Sequence, residues 1–250
     1  MPSRTRVRPT TWAPTLRRAV RLFADFRHEQ DDPRRFYSAL AADSIGQLSS
    51  YHDLAGATVL DVGGGPGYFR DAFEGAGADY LALDADVGEL SGLGSIARRT
   101  VIGDGMRLPF RDDAVDVCYS SNVLEHVPEP WRMADEILRV TRPGGIAFIS
   151  YTVWFGPWGG HETSPWHYVG GARARRRYRR VHGHEPKNKY GESLFPVTVA
   201  SGVRWARIQR HGDVLDVVPR YNPRWSRVLT RIPLLREVLT WNLVIVVRKR

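Results

Sequence analysis

Two rhythms of apolar and polar positions run along the chain. From Leu16 to Phe26 the apolar residues Leu16, Ala19, Val20, Phe23 and Phe26 recur at helical spacing, with Arg17, Arg18 and Arg21 between them, which predicts an amphipathic helix. A second helix is predicted from Pro33 to about Tyr51. The rhythm then changes to short apolar runs, which predict strands at 58–62 (TVLDV), 80–84 (YLALD), 100–104 (TVIGD), 115–121 (VDVCYSS) and 146–152 (IAFISYT). A glycine turn and a helix reaching about Gly75 follow the first run. A helix from about Trp131 to Val140 precedes the fifth and is stopped by Arg142-Pro143-Gly144-Gly145. Strands buried on both faces read as continuous apolar runs, as these do. Their alternation with helices predicts a parallel sheet covered on both sides.

Residues 153–200 break this order. Trp154, Phe155, Trp158, Trp166 and Tyr168 stand among glycines and prolines, followed by a basic helix, and we read the segment as a lid-like insertion over the active end of the sheet. DVLDVV (213–218) and NLVIVV (242–247) then supply the sixth and seventh strands, and 223–240 reads as helical with a break at Pro233. The expected architecture is α/β: a seven-stranded, mostly parallel sheet with helices on both faces, and an insertion between strands 5 and 6. A basic, helical extension over 1–52 precedes the main domain at 53–250, and its first 14 residues are polar, proline-punctuated and expected to be flexible. No internal repeat is present.

Composition narrows the function classes. An apolar fraction of 42% over 250 residues supports a sizeable core. The formal net charge of +9 is almost all arginine, since the only lysines are Lys187, Lys189 and Lys249. That surplus has two readings, solvated arginines or an anion-binding face. The single cysteine, Cys118, excludes an intramolecular disulfide and fits a reducing compartment. No apolar run approaches the ~20 residues of a membrane span. No signal peptide is expected either. The expectation is a cytoplasmic protein, at most peripheral to the inner face of a membrane.

The chemistry starts at Val59-Leu60-Asp61-Val62-Gly63-Gly64-Gly65-Pro66-Gly67-Tyr68, where a strand ends in an acid and glycines turn the chain into a helix. Glycine lets the backbone take unusual angles and approach a ligand closely. A nicotinamide or flavin site would need GxGxxG, and neither register works, because Tyr68 or Arg70 would occupy the third glycine position. Asp61 would also repel a pyrophosphate. It suits a cation instead, and S-adenosylmethionine carries both an ammonium and a sulfonium.

Asp61-x-Gly63-x-Gly65-x-Gly67 resembles the first motif of the class I S-adenosylmethionine-dependent methyltransferases, and the order of the later motifs is similar too. The likeness covers roughly residues 55–152. Its type is that of the type 11 methyltransferases, and the whole chain is similar to uncharacterised methyltransferases of actinobacteria. The resemblance implies that Asp61, Gly63, Gly64, Gly65 and Gly67 form the cofactor loop. It places Asp84, with Ala85 beside it, on the ribose hydroxyls. Gly103-Asp104-Gly105-Met106-Arg107-Leu108-Pro109-Phe110 resembles the stretch whose acid faces the adenine amino group, so Asp104, Gly105 and Met106 would flank the adenine. Ser121 and Asn122 would lie under the methyl donor.

Methyl transfer from a sulfonium is an in-line displacement in which the enzyme mainly aligns the reacting atoms and excludes water. A hydroxyl acceptor must also lose a proton. Histidine suits that task. We take His126, His161 and Glu162 as catalytic candidates, with Glu125 as a further partner for a histidine and with His167 and Tyr168 near them in the insertion. The plainer reading of each is loop packing. Some quinone-precursor and RNA-end O-methyltransferases carry ExxEH at this place and bind a divalent metal. Here Asn122 replaces the first glutamate, so no metal is expected.

The acceptor is less constrained. The N/D-P-P-Y/F motif of many amino-group methyltransferases of nucleic acids is absent, and Cys118 lies inside a strand predicted to be buried. Arg173, Arg175, Arg176, Arg177, Arg179 and Arg180 form either a solvated helix face or a clamp for a phosphate-bearing acceptor. The leading expectation is methylation of a hydroxyl oxygen of a small molecule, lipid or glycan. An RNA methyltransferase is the alternative, and a non-catalytic cofactor-binding partner protein the second. The N-terminal helix and the Trp225–Trp241 segment are either core elements or contacts with an anionic membrane.

Overall fold

Alternate residues of the central strands feed two different cores. In the computed structural model, which describes residues 12–28, 32–91 and 98–250, β1 (Thr58–Val62) points Leu60 and Val62 into one core and Val59 into the other. The same division holds for β4 (Val115–Ser121), with Cys118 on one side and Val117 and Tyr119 on the other. The sheet is therefore buried on both faces, as its apolar runs require. Of the first 14 residues expected to be flexible, 1–11 lie outside the described part, while Trp12 donates to Asp43 at 3.2 Å and the Pro14 carbonyl accepts the Arg224 amide at 2.6 Å, which ties down the last three.

The remaining strands are β2 (Asp79–Asp84), β3 (Thr100–Ile102), β5 (Thr141–Thr152), β6 (Gly212–Pro219) and β7 (Asn242–Lys249). Their order is β3-β2-β1-β4-β5-β7-β6, with β7 antiparallel to both neighbours and the other pairs parallel. The order reverses between β1 and β4, and ligands in such sheets bind beyond the carboxyl ends of the strands at that reversal.

The helices are α1 (Leu16–Phe26), α2 (Pro33–Leu48), α3 (Arg70–Gly75), α4 (Val87–Leu90), α5 (Pro130–Val140), α6 (Gly171–His182), α7 (Val199–Ile208) and α8 (Leu235–Leu239). Helix α5 places Met133, Ala134, Ile137 and Leu138 on one stripe, packed with Trp205 of α7 against one face of the sheet. Helix α2 buries Phe36, Leu40, Ala41 and Leu48 with Phe73 of α3 on the other face. The second helix of the N-terminal extension is thus built into the core.

Helix α1 behaves differently. It buries only Arg18 and Leu22, and its apolar stripe of Leu16 and Val20 is about 60% exposed. It is held by a buried ion pair, with Arg18 donating to Asp43 at 2.5 and 2.6 Å and to the Arg220 carbonyl at 3.0 Å.

The local differences from the sequence reading have physical causes. β3 ends at Ile102 because Gly103 and Asp104 leave the sheet for a loop fastened to Glu136 and Arg139 of α5. β5 starts at Thr141, directly after α5, so the Arg142–Gly145 turn lies inside an irregular strand start. α7, closed at its N-terminus by a Thr198–Ser201 capping box, begins before the end assigned to the insertion. The late segment is a 3-10 helix over Arg224–Arg231 and a five-residue α8, separated by Pro233 and by Leu234 at φ +68°.

Candidate cofactor and acceptor site

The glycine loop leaves β1 at the point where the sheet order reverses. Gly63 takes φ +81°, and a Cβ on it would stand 2.3 Å from Val123 Cγ2. Only glycine lets this loop run beside the turn that follows β4. Gly63 and Gly64 both donate to the Leu83 carbonyl, at 2.7 and 3.2 Å, and Gly65 donates to Asp84 Oδ2 at 3.0 Å. Gly65 and Gly67 also have positive φ, +49° and +90°. The Tyr68 ring stacks on Tyr37 of α2, centroids 4.8 Å apart, so the N-terminal helix closes over the loop.

Asp61 is 2% exposed and accepts the Tyr80 hydroxyl at 2.6 Å. Among the described residues no ion-pair partner touches it. Burial, with a smaller contribution from the Asp84 charge, pushes its carboxyl up to about 7 against the Tyr80 hydrogen bond. A buried carboxyl that lacks a cation is suited to receive one.

Asp84 closes β2 half-buried, with Oδ1 accepting the Asp86 amide at 3.0 Å and Oδ2 accepting Gly65. A carboxylate offers about four lone-pair sites, so two remain for hydroxyl donors. Ala85 beside it is exposed. Asp104 accepts the Met106 amide at 2.8 Å, and Gly105 packs against Met133 and Val62. This loop is tied to α5: Arg139 donates to the carbonyls of Leu108 and Phe110, and Glu136 accepts the Leu108 amide at 2.8 Å.

Ser121 and Asn122 end β4. The Asn122 backbone sits in the left-handed region at φ +57°, and its Oδ1 accepts from Asn242 Nδ2 at 2.6 Å. Ser121 Oγ accepts from Arg220 at 2.6 Å. Sequence reasoning missed Arg220. It is 2% exposed and spends its two terminal nitrogens on four hydroxyls, those of Ser121, Ser150, Ser44 and Tyr119. It thereby links the carboxyl ends of β4, β5 and β6 to α2. Tyr80 on Asp61 and Asn242 on Asn122 were missed too. All three contacts join residues remote in sequence.

The catalytic candidates divide. His126 and His161 meet edge to face, centroids 5.1 Å apart. Glu125, 1% exposed, joins them, and one ligand-type atom from each of the three lies within 4.8 Å of the others. Glu125 Oε1 accepts the Thr152 amide at 2.9 Å, while Oε2 is buried without a partner. His126 Nδ1 lies 2.8 Å from the Ser193 carbonyl. That contact places the proton on Nδ1 and the lone pair on Nε2. His161 sits at φ +48°, and its Nδ1 is buried and unpartnered. Burial, and then the neighbouring His126, push its ring down to about 4.

Glu162 does not join this cluster. Its exposed carboxylate accepts from Asn188 Nδ2 at 2.9 Å, so Glu125 takes the place beside the histidines that the sequence also offered to Glu162. His167 is packed between Trp154 and Tyr168, with its Nε2 3.2 Å from the Gly156 carbonyl. In the arginine run, Arg175 and Arg179 pair with Glu185, and Arg177 lies over the Trp166 ring.

The fold and the loop define a class I S-adenosylmethionine-dependent methyltransferase, and the comparisons agree. A family model described as "Methyltransferase domain" matches residues 60–149. An uncharacterised methyltransferase of Mycobacterium marinum is 52% identical over 250 residues, covering 94% of this chain and 96% of its own. Another, from Mycobacterium tuberculosis, is 54% identical over 242 residues, covering 93% and 94%. The chain belongs to this methyltransferase family, and its cofactor is S-adenosylmethionine. A crystal structure of an S-adenosylmethionine-dependent methyltransferase from Mesorhizobium loti shares the fold, with a TM-score of 0.56 at 19% identity, covering 85% of this chain and 98% of that one. Among the described residues no helix is long and apolar enough to cross a membrane.

Proposed function

We propose that the enzyme methylates a hydroxyl oxygen of a small-molecule, lipid or glycan acceptor. The observation that carries this reading is the convergence of Glu125, His126 and His161 just beyond β4 and β5. S-adenosylmethionine supplies, when bound, an electrophilic methyl group on a sulfonium. Asp61 faces its ammonium, Asp84 and Ala85 its ribose, and Asp104, Gly105 and Met106 its adenine. The backbone of Gly63, Gly64, Gly65 and Gly67 lies along it, and Ser121 and Asn122 form the floor beneath the methyl. An amine acceptor can lose its proton after transfer, but a hydroxyl needs a proton acceptor at hand. His126, with its lone pair on Nε2, and His161, with its buried and unpartnered Nδ1, provide that.

A specific surface favours a lipid among these acceptors. Trp225 is 71% and Leu234 81% exposed, and Leu16 and Val20 of α1 are exposed as well. The Arg224 amide bonds the Pro14 carbonyl at 2.6 Å, bringing the start of α1 to this segment. Exposed Arg17, Arg21, Arg224 and Arg231 belong to the same two segments. Apolar side chains among arginines suit an anionic bilayer surface. RNA is less favoured, because Arg175 and Arg179 of the arginine run are already paired with acids.

The test is incubation with methyl-labelled cofactor and separate lipid, glycan, small-molecule and RNA fractions. Label in a methyl ether supports the reading, and label in a methyl ester, which forms on a carboxylate that needs no base, counts against it. Label on nitrogen, or only in RNA with a steep salt dependence of binding, refutes it.

A further inference from the structure

We propose that Glu125, His126 and His161 form a binding site for one divalent transition-metal ion, with zinc the best chemical match. Two of the three side chains are fastened to the backbone by one polar atom and leave a second one for a ligand, and the third presents a buried ring nitrogen. Glu125 is held by the Thr152 amide through Oε1, and Oε2 is buried with no partner. His126 is held through Nδ1 by the Ser193 carbonyl, leaving Nε2. His161 offers Nδ1, which is buried without a partner. Ligating histidines are ordinarily oriented as His126 is, with the second ring nitrogen bonded to a carbonyl or carboxylate.

The geometry and the chemistry of the donors agree. The ligand-type atoms lie within 4.8 Å of one another. Zinc bonds of about 2.0–2.2 Å need them within about 4.2 Å, a distance reached by small side-chain rotations. A 1%-exposed carboxylate with a bare oxygen and, among the described residues, no lysine or arginine on it is costly unless a cation arrives. Two imidazoles and one carboxylate suit zinc-class ions, whereas magnesium and calcium prefer oxygen ligands throughout. His161 is presented from a left-handed backbone position, φ +48°, that a histidine seldom adopts. The sequence reading expected no metal because Asn122 replaces an acid. Asn122 is indeed engaged elsewhere, with Asn242, and the third donor comes instead from the insertion.

Three protein ligands leave a fourth position open. The role of that position rests on the hydroxyl reading above. The acceptor oxygen binds there, and the ion lowers its pKa. The O–H bond breaks and the proton leaves to water. The oxygen pair then forms the bond to the methyl carbon, and sulfur keeps the pair of the broken C–S bond. In this arrangement the three residues serve as ligands, and the charge of the ion replaces a histidine base.

The experiment uses the full, tag-free chain, stripped with chelator and titrated with Co2+ by visible absorption and with Zn2+ by calorimetry, without any acceptor. One equivalent should bind, with the ligand-field bands of four- or five-coordinate Co2+. Glu125→Gln and His161→Ala should each weaken binding by more than about 100-fold, beyond what loss of an outer-shell contact costs. Glu162→Gln should bind as the wild type does. No saturable one-to-one binding, or binding equal in His161→Ala and wild type with both folded by circular dichroism, overturns the site. The two readings fail separately. Metal binding with the methyl found on nitrogen sinks the hydroxyl acceptor alone, and full hydroxyl methylation in chelator removes the ion from the reaction.

Discussion

Asp61→Asn should make the cofactor-free protein more stable and a poorer cofactor binder, and the gain in stability should depend on pH. The carboxyl is buried, its hydrogen-bond partner is a tyrosine hydroxyl, and its pKa is pushed from the ordinary 3.8 to about 7. The folded pKa is the higher of the two, so between about pH 4 and pH 7 the folded chain holds a proton that the unfolded chain has released. Stability therefore falls as pH rises through that window and levels off above it. At ~1.4 kcal/mol per tenfold change in proton activity, about three pH units amount to about 4 kcal/mol. Asparagine keeps the shape and an acceptor for Tyr80 but does not titrate. The advantage of the variant should grow from nothing near pH 4 to at most about 4 kcal/mol above pH 7, a Tm difference of about 10 °C for a chain of this size.

Scanning calorimetry of both proteins between pH 5 and pH 8, without cofactor, measures this directly, because every other titrating group is common to the two. A gap that stays constant with pH, or an Asn variant that is the less stable at pH 8, would refute the reasoning. Cofactor titration should show the opposite ranking, with affinity lower by tenfold or more in the variant. A cation near Asp61 favours the charged carboxylate, so wild-type binding near pH 6.5 should release protons, seen as a buffer-dependent heat that the variant lacks.

Further outcomes follow from the same contacts. Asp84→Ala removes the carboxylate that accepts from Gly65 and Asp86, and calorimetric titration should show S-adenosylmethionine and S-adenosylhomocysteine binding lost while the fold persists. Arg220→Lys leaves most of four hydroxyl contacts unmade and should cost about 3 kcal/mol of stability by denaturant titration, and unchanged stability would remove Arg220 from its organising role. Trp225→Glu with Leu234→Glu should abolish flotation with anionic vesicles at low salt and leave unfolding unchanged; no flotation of the wild type would remove the bilayer contact.

The parts legible in sequence are those whose cause is local. The bounds of α1, β1 and β4 follow from periodicity, because each element buries one stripe or alternates between two cores. The glycine turn after β1 was legible because Gly63 meets a steric demand, and Gly65 and Gly67 a backbone one, that other residues meet poorly. Boundaries failed where a longer-range contact decides them. Gly103 and Asp104 carry a strand-like pattern but leave the sheet, since the following loop is fastened to Arg139 and Glu136 of α5.

The site separates along the same line. Asp61, Asp84 and Asp104 stand at fixed offsets from strand ends, so their places could be read from the run of residues alone. Arg220 could not, because in a chain so rich in arginine nothing marks the one that is buried, and its four hydroxyl partners come from α2, β4 and β5. The acceptor end shows the point most sharply. Glu125 and Glu162 each precede or follow a histidine, and sequence adjacency gives them equal standing. Packing divides them: one carboxylate is pinned under the Thr152 amide with an oxygen left bare beside two imidazoles, and the other reaches solvent and Asn188. The chemistry of this half of the site therefore depends on how the insertion folds back over β4 and β5. If the loops after β1, β2 and β3 hold the cofactor as proposed, a truncation of the insertion should spare cofactor binding and abolish transfer.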